Sequence, residues 1–319
     1  SHLIEKRQLT TDEVNWLITQ KWVRTWEPGI TAPVGIKADL PGISPKGKLL
    51  GMPGFVVAAL DPDGHITGMQ IATLLDDPKY IWLSSANHGG NGPQLPNGEL
   101  PLFCWKHPNT PSIRTVILCE GALKSMLVAL FLWRLGHYDT AVIGTASAAR
   151  YGSKTLQDYL NRLGAGNIKL MPDAGTLINP QIAQANAITL DLCSQWGYQV
   201  EVGEWGQLFD KAQPDFDELL AANRENEVRL KSASEYLALL PLDSCTSSFK
   251  GEPDTEAYAE YIKWEEEQKR VEEAEVSYGF TRWLKRLLKK YKPLKGFGPK
   301  PNKKPIKLPP VIHYKPGMV

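Results

Sequence analysis

The sequence predicts an α/β fold: a mostly parallel sheet with flanking helices, preceded by a small β-rich subdomain and followed by a basic helical tail. Three observations carry this. Between residues 114 and 223, short apolar runs alternate with stretches of helical periodicity; between 55 and 74, two apolar runs flank a turn; from 276 onward the chain has twelve Lys/Arg and no Asp or Glu. Strand–helix alternation at this spacing implies parallel strands joined by crossover helices.

The elements divide into four regions, 1–46, 47–113, 114–230 and 231–319. In the first, residues 9–29 carry Trp16, Leu17, Trp22 and Val23 among polar residues, with Thr10 or Thr11 as N-cap, and read as a helix. Residues 31–54 are rich in Pro and Gly and read as irregular. In the second, 55–60 and 66–74 form a hairpin around Asp61-Pro62-Asp63-Gly64, and 87–98 is a turn-rich loop. In the third, strands are predicted at 115–119, 140–143, 168–171 and 198–202, with helices at 122–135, 153–163 and 180–196 and a last one opening at 216–222. In the fourth, 255–275 is acidic and helical, and 278–291 is a helix with Phe280, Trp283, Leu284, Leu287, Leu288 and Tyr291 on one stripe.

Composition narrows the class. A hydrophobic content of 42% with 22% charged residues is that of a globular protein. No apolar run reaches membrane-spanning length, so no membrane partner is expected. Cys104, Cys119, Cys193 and Cys245 form no Cys-x-x-Cys pair, which excludes a zinc ribbon and fits a reducing cytoplasm. The chain opens Ser1-His2 without methionine, which reads as a tag remnant, so further domains are expected outside it. Gly152-Ser153-Lys154-Thr155 lacks the spacing of a phosphate-binding P-loop.

In open α/β sheets, ligands gather at the C-terminal ends of the strands. Glu120 closes the first strand of the third region, Asp173 follows the third strand, and Asp215 and Asp217 follow the fourth. Carboxylates from separate βα junctions on one rim suit a hard cation such as Mg²⁺ (or Mn²⁺) and phosphoryl transfer. Simpler roles stand beside this one: Asp215 as a helix N-cap, Asp173 as a turn former, Cys119 as a small core residue rather than a thiol nucleophile. Glu120 is harder to explain that way, because a carboxylate ending an apolar strand is costly unless paired.

The order Cys119-Glu120-Gly121, Val142-Ile143-Gly144-Thr145, Pro172-Asp173-Ala174-Gly175 and Asp215-Phe216-Asp217-Glu218 resembles the Toprim domain of bacterial DNA primases. The preceding Asp63-Gly64-His65-Ile66-Thr67-Gly68, Pro78-Lys79-Tyr80 and Pro101-Leu102-Phe103 resemble the small subdomain of those primases. The likeness spans about residues 48–223 and is closer still to the Toprim-like domain of unknown function in cyanobacterial plasmid and mobile-element replication proteins. It implies a Mg²⁺-dependent nucleotidyltransferase that makes primers on a DNA template. Glu120, Asp173 and Asp215 would be catalytic, the same three with Asp217 would hold metal, and Lys79 would line a nucleic-acid groove.

Departures from the pattern keep other readings open. Gly175 stands where a second Asp belongs, Lys124 replaces an acid four residues after Glu120, and Ala72 stands where a groove arginine belongs. These imply weaker metal binding, or phosphate held by Lys124. The alternatives are a catalytically degenerate module that binds DNA or a replication partner, and a Toprim-type nuclease. Expected nucleic-acid contacts are Lys79, Lys124, Arg150 and Lys154, with Arg282, Lys285, Arg286, Lys289 and Lys290 in the tail. Phosphate contact is the leading reading of the tail helix; beside it stand an ordinary helix packed by its apolar stripe with its lysines solvated, and a helix that docks on a protein partner. The expected partners are single-stranded or duplex DNA, nucleotides and a replicative helicase.

Overall fold

Why the chain turns at residue 20, where the sequence reads as continuous helix, sets the N-terminal architecture. A computed structural model describes residues 2–33, 40–73, 75, 78–145 and 153–240. After a short α1 (His2–Glu5), helix α2 (Thr11–Thr19) opens on a capping box in which Thr10 and Glu13 satisfy each other's backbone N–H groups. It ends early because Lys21 adopts a left-handed φ of 62°, and β-branched Val23 and Thr25 then favour the extended strand β1 (Val23–Trp26). Trp22 therefore lies in the bend before β1 and Val23 opens the strand, outside the helix expected over 9–29.

β1 joins β2 (Gly54–Leu60), β3 (Ile66–Ala72) and β4 (Tyr80–Trp82) in an antiparallel sheet of order β1-β2-β3-β4. The β2–β3 hairpin forms as its turn residues predict. Asp61 Oδ1 accepts from the N–H groups of Asp63 and His65 at 2.9 Å each, and Gly64 supplies a φ of 85°.

The larger sheet is built from β5 (Phe103–Trp105), β6 (Thr115–Glu120), β7 (Thr140–Thr145), β8 (Asn167–Leu170), β9 (Val200–Glu204) and β10 (Arg229–Ser232). Its order is β10-β9-β8-β6-β7-β5. The four central strands are parallel, and β5 and β10 are antiparallel edges. Helices α3 (Ala122–Arg134), α4 (Ser153–Leu163), α5 (Pro180–Gln195), α6 (Phe216–Ala221) and α7 (Ala233–Leu237) complete the described elements. The α/β fold with a largely parallel sheet, flanking helices and a separate antiparallel sheet is thus the observed one.

Alternation along β6 splits the core. Ile117 and Cys119 face one side with α3 and α6, while Val116 and Leu118 face the other with α4 and α5. α3 is buried from Ala122 to Trp133 except at Lys124, because it lies between the large sheet and the hairpin sheet. Tryptophan rings stitch these layers: Trp22 lies 5.1 Å from Trp16, 5.0 Å from Trp105 and 5.9 Å from Trp133. No helix among the described residues is long and apolar enough to cross a membrane.

The chain divides into two units, 1–247 and 248–319. The helices expected over 255–275 and 278–291 lie outside the described residues, as do Arg150, Arg282, Lys285, Arg286, Lys289 and Lys290.

Candidate functional site

Strand order places the site. After β7 the chain crosses β6 to form β8 on its other side, so β6 and β8 flank a topological switch point. Glu120 is the last residue of β6, and Asp173 follows β8 by three residues. Gly121, with φ 84°, then turns the chain directly into α3, which puts Lys124 in the first helical turn above the strand ends. The turn is tight: Gly121 N–H donates to Thr145 O at 2.9 Å. A Cβ on Gly144 would lie 2.8 Å from Gly121 O and collide with Ser125 Oγ. Glycine at both places is what allows the start of α3 to rest on β7.

Asp215 comes to the same rim from the far side. The segment after β9 is held on the Asp173 loop, with Gly175 N–H donating to Gln207 O at 2.7 Å and Trp205 Nε1 to Pro214 O at 2.8 Å. Asp215 is the residue before α6, in the N-cap position, and its own N–H donates to Glu218 Oε2 at 3.2 Å. Its side chain faces the rim instead: Asp215 Oδ1 accepts from Ala174 N–H at 2.9 Å and Oδ2 accepts from Lys124 Nζ at 2.9 Å. Lys124 also pairs with Asp173 Oδ2, and Asp173 hydrogen-bonds Glu120. Glu120, Lys124, Asp173 and Asp215 therefore form one continuous chain of contacts.

Burial governs protonation here. It pushes the Glu120 carboxyl up from 4.5 to about 7, reinforced by the adjacent Asp173 charge and opposed by Lys124. Burial also raises the Asp173 carboxyl, opposed by Lys124 and by the Glu120 hydrogen bond, which favour its ionised form. Burial alone would depress the Lys124 ammonium, but Asp173 and Asp215 outweigh it and hold the group charged. Burial raises the Cys119 thiol well above its usual range, which keeps it protonated and leaves it a core residue rather than a nucleophile.

Asp217 lies deeper, 3% exposed, on α6. Its Oδ2 is 3.7 Å from an Arg7 guanidinium nitrogen, its Oδ1 has no protein hydrogen-bond partner, and burial pushes its carboxyl up to about 6. Arg7 comes from the N-terminal segment, and nothing in its local sequence points to this place. Lys211, Gln207 and Asn186 are likewise drawn to the site by tertiary packing.

The residues as arranged do not fit the divalent ion that the primase resemblance implies. Lys124 stands between Asp173 and Asp215, where such an ion would bridge them. Among the described residues, only Asp61, Asp63 and His65 bring three carboxylate or imidazole ligand atoms within 4.8 Å of one another. That cluster is on the hairpin turn, and Arg162 already answers it, at 2.8 Å from Asp61 and 2.6 Å from Asp63. Lys79, at the edge of β4, and Lys154, in the first turn of α4, are exposed. Neither makes an ion pair with the Glu120 rim among the described residues.

No family model and no curated protein matches the chain. Among solved structures it is similar to the zinc-binding and RNA polymerase domains of Aquifex aeolicus primase, with 16% identity and a TM-score of 0.37 over 69% of this chain and 47% of that one. It thus spans about half the length of that relative. It is also similar to the RNA polymerase domain of Mycobacterium tuberculosis primase DnaG, with 14% identity and a TM-score of 0.46 over 74% and 77% of the two chains. The same domain in complex with a double-stranded DNA oligomer carrying a 6-nucleotide overhang matches with 10% identity and a TM-score of 0.37, over 72% and 73%. Its structural neighbours are bacterial primase domains.

Proposed function

We propose that this chain is a primase-like replication protein that binds nucleic acid, and that its switch-point rim serves binding and positioning rather than primer synthesis. The observation that carries this is the Lys124 bridge: its ammonium engages Asp173 and Asp215, and the other Asp215 oxygen holds Ala174 N–H. Nucleotidyl transfer needs those oxygens available to organise phosphates and their counter-cation. Here they hold the protein together.

Charge supports the nucleic-acid assignment. Residues 276–319 carry twelve cations and no anion, so removing them takes the net charge from +1 to −11. Long-range attraction for a polyanion becomes repulsion. The second reading, primer synthesis, is favoured by Glu120, which at about 7 can hold or release a proton near neutral pH. One experiment separates the readings: incubate the chain with single-stranded DNA, ribonucleotides and Mg²⁺, and measure DNA affinity against salt in parallel. Binding without polymer is expected. Polymer that disappears in Glu120→Gln supports the second reading, and cleaved template supports a nuclease. In a chain lacking 276–319, affinity should fall and the slope of log affinity against log salt should flatten by roughly 0.7–0.9 for each phosphate no longer neutralised. An unchanged slope would leave 278–291 as a docking helix.

A further inference from the structure

The rim has an unusual charge plan. At a strand-end site whose carboxylates come from three βα junctions, the cation is not left to solution. It is supplied by α3, from the one position in the stretch 122–133 that is not buried. Leu123 and Ser125 beside it are buried, and the Lys124 side chain, itself only 19% exposed, contacts Asp173 and Asp215. Both of its carboxylate partners are also largely withdrawn from water, at 22% and 29% exposure.

A second lysine packs beside the rim through its stem. Gly175 has φ 76°, and a Cβ there would run into the Lys211 side chain. The space beside Asp173 that another side chain would need is therefore filled by the stem of Lys211. Arg7 similarly answers Asp217. Two cationic side chains from separate segments, Lys124 and Arg7, thus answer the acids of this rim.

From this we propose that Lys124 is a resident counter-ion: it replaces a divalent cation between Asp173 and Asp215, leaving a latent metal site that opens only when the lysine is removed. This rests on the reading of the rim as the functional site, but not on what nucleic acid it binds. A bound ion and the ammonium would compete for the same oxygens, so wild-type protein is indifferent to divalent cations at this place. Substituting Lys124 by an uncharged side chain of similar length leaves two carboxylates facing each other without a cation, which is the condition under which a hard divalent ion gains most.

The test uses Mn²⁺ as probe with the full chain, read by thermal shift and by water-proton relaxation. Only the part of the response abolished by Asp173→Asn is assigned to the rim, which removes any contribution from the Asp61–His65 turn. Wild type and Lys124→Arg are expected to show no such response at millimolar Mn²⁺. Lys124→Met is expected to gain one, with apparent affinity at least about tenfold tighter than wild type, because a competing charge has been removed. A folded Lys124→Met without the gain overturns the proposal. So does an Asp173-dependent Mn²⁺ response in wild type, which would mean that the lysine steps aside for metal; this second measurement decides the matter even if Lys124→Met does not fold. Loss of DNA binding in the separate salt titration would refute the proposed function and leave the Mn²⁺ result standing.

Discussion

Replacing Glu120 by Gln should make the protein more stable in alkali and leave it unchanged in acid. The folded state holds this carboxyl at about 7 against an ordinary 4.5, chiefly because burial penalises its charge. A raised carboxyl means that the native state binds the proton more tightly than the unfolded chain. Its contribution is therefore complete below pH 4.5 and is lost as pH rises through about 7. The loss amounts to about 3 kcal/mol. Glutamine has the shape and the donor of the protonated acid, can still donate to Asp173, and does not ionise. The variant should match wild type near pH 4 and exceed it by about 3 kcal/mol near pH 8.5, or about 6–12 °C in Tm for a domain of this size. Thermal melts of both proteins across that range give the difference directly, and other titrating groups cancel in it. Melting curves that stay parallel, or a variant less stable at high pH, would show that Glu120 is ionised and satisfied in the native state.

Two further substitutions probe how the site is held. Gly144→Ala places a methyl 2.8 Å from Gly121 O and against Ser125 Oγ, the acceptor of the Trp105 indole N–H at 2.9 Å. A loss of about 1–3 kcal/mol is expected in urea unfolding, and an unchanged midpoint would mean that α3 does not rest on β7 as described. Arg162→Ala removes the ion pairs to Asp61, Asp63 and Asp158 that tie the hairpin turn to α4. Because the guanidinium is 31% exposed, the loss should be only about 1 kcal/mol, accompanied by faster amide exchange at residues 61–65. A much larger loss would identify the turn as part of the core rather than a pinned edge.

The parallel half of the fold is legible in the sequence because its signals are local. The helix expected over 153–163 coincides with α4, and the run 115–119 is β6 less its final Glu120. Where the determinants are not local, the sequence misleads. The segment 9–29 has enough apolar residues for one helix, yet a single left-handed Lys21 breaks it and sends Trp22 into the core. β10 is invisible because Arg-Leu-Lys-Ser on an exposed edge has neither alternation nor apolar content. The site divides in the same way. Glu120, Asp173 and Asp215 can be placed from strand ends alone. The partners of Lys124, the approach of Arg7 to Asp217 and the packing of Lys211 on Gly175 depend on chain segments brought together only by folding.

Because α3 is walled by a sheet on each side, the place of its Lys124 ammonium is set when the protein folds. Ionic strength that weakens a solvated basic segment acts over a Debye length of about 8 Å in physiological salt. It has little purchase on an ammonium held at 2.9 Å from its partner in a half-dry crevice. The position of that charge is therefore fixed by packing, and salt acts on it far less than pH acts on its neighbour Glu120.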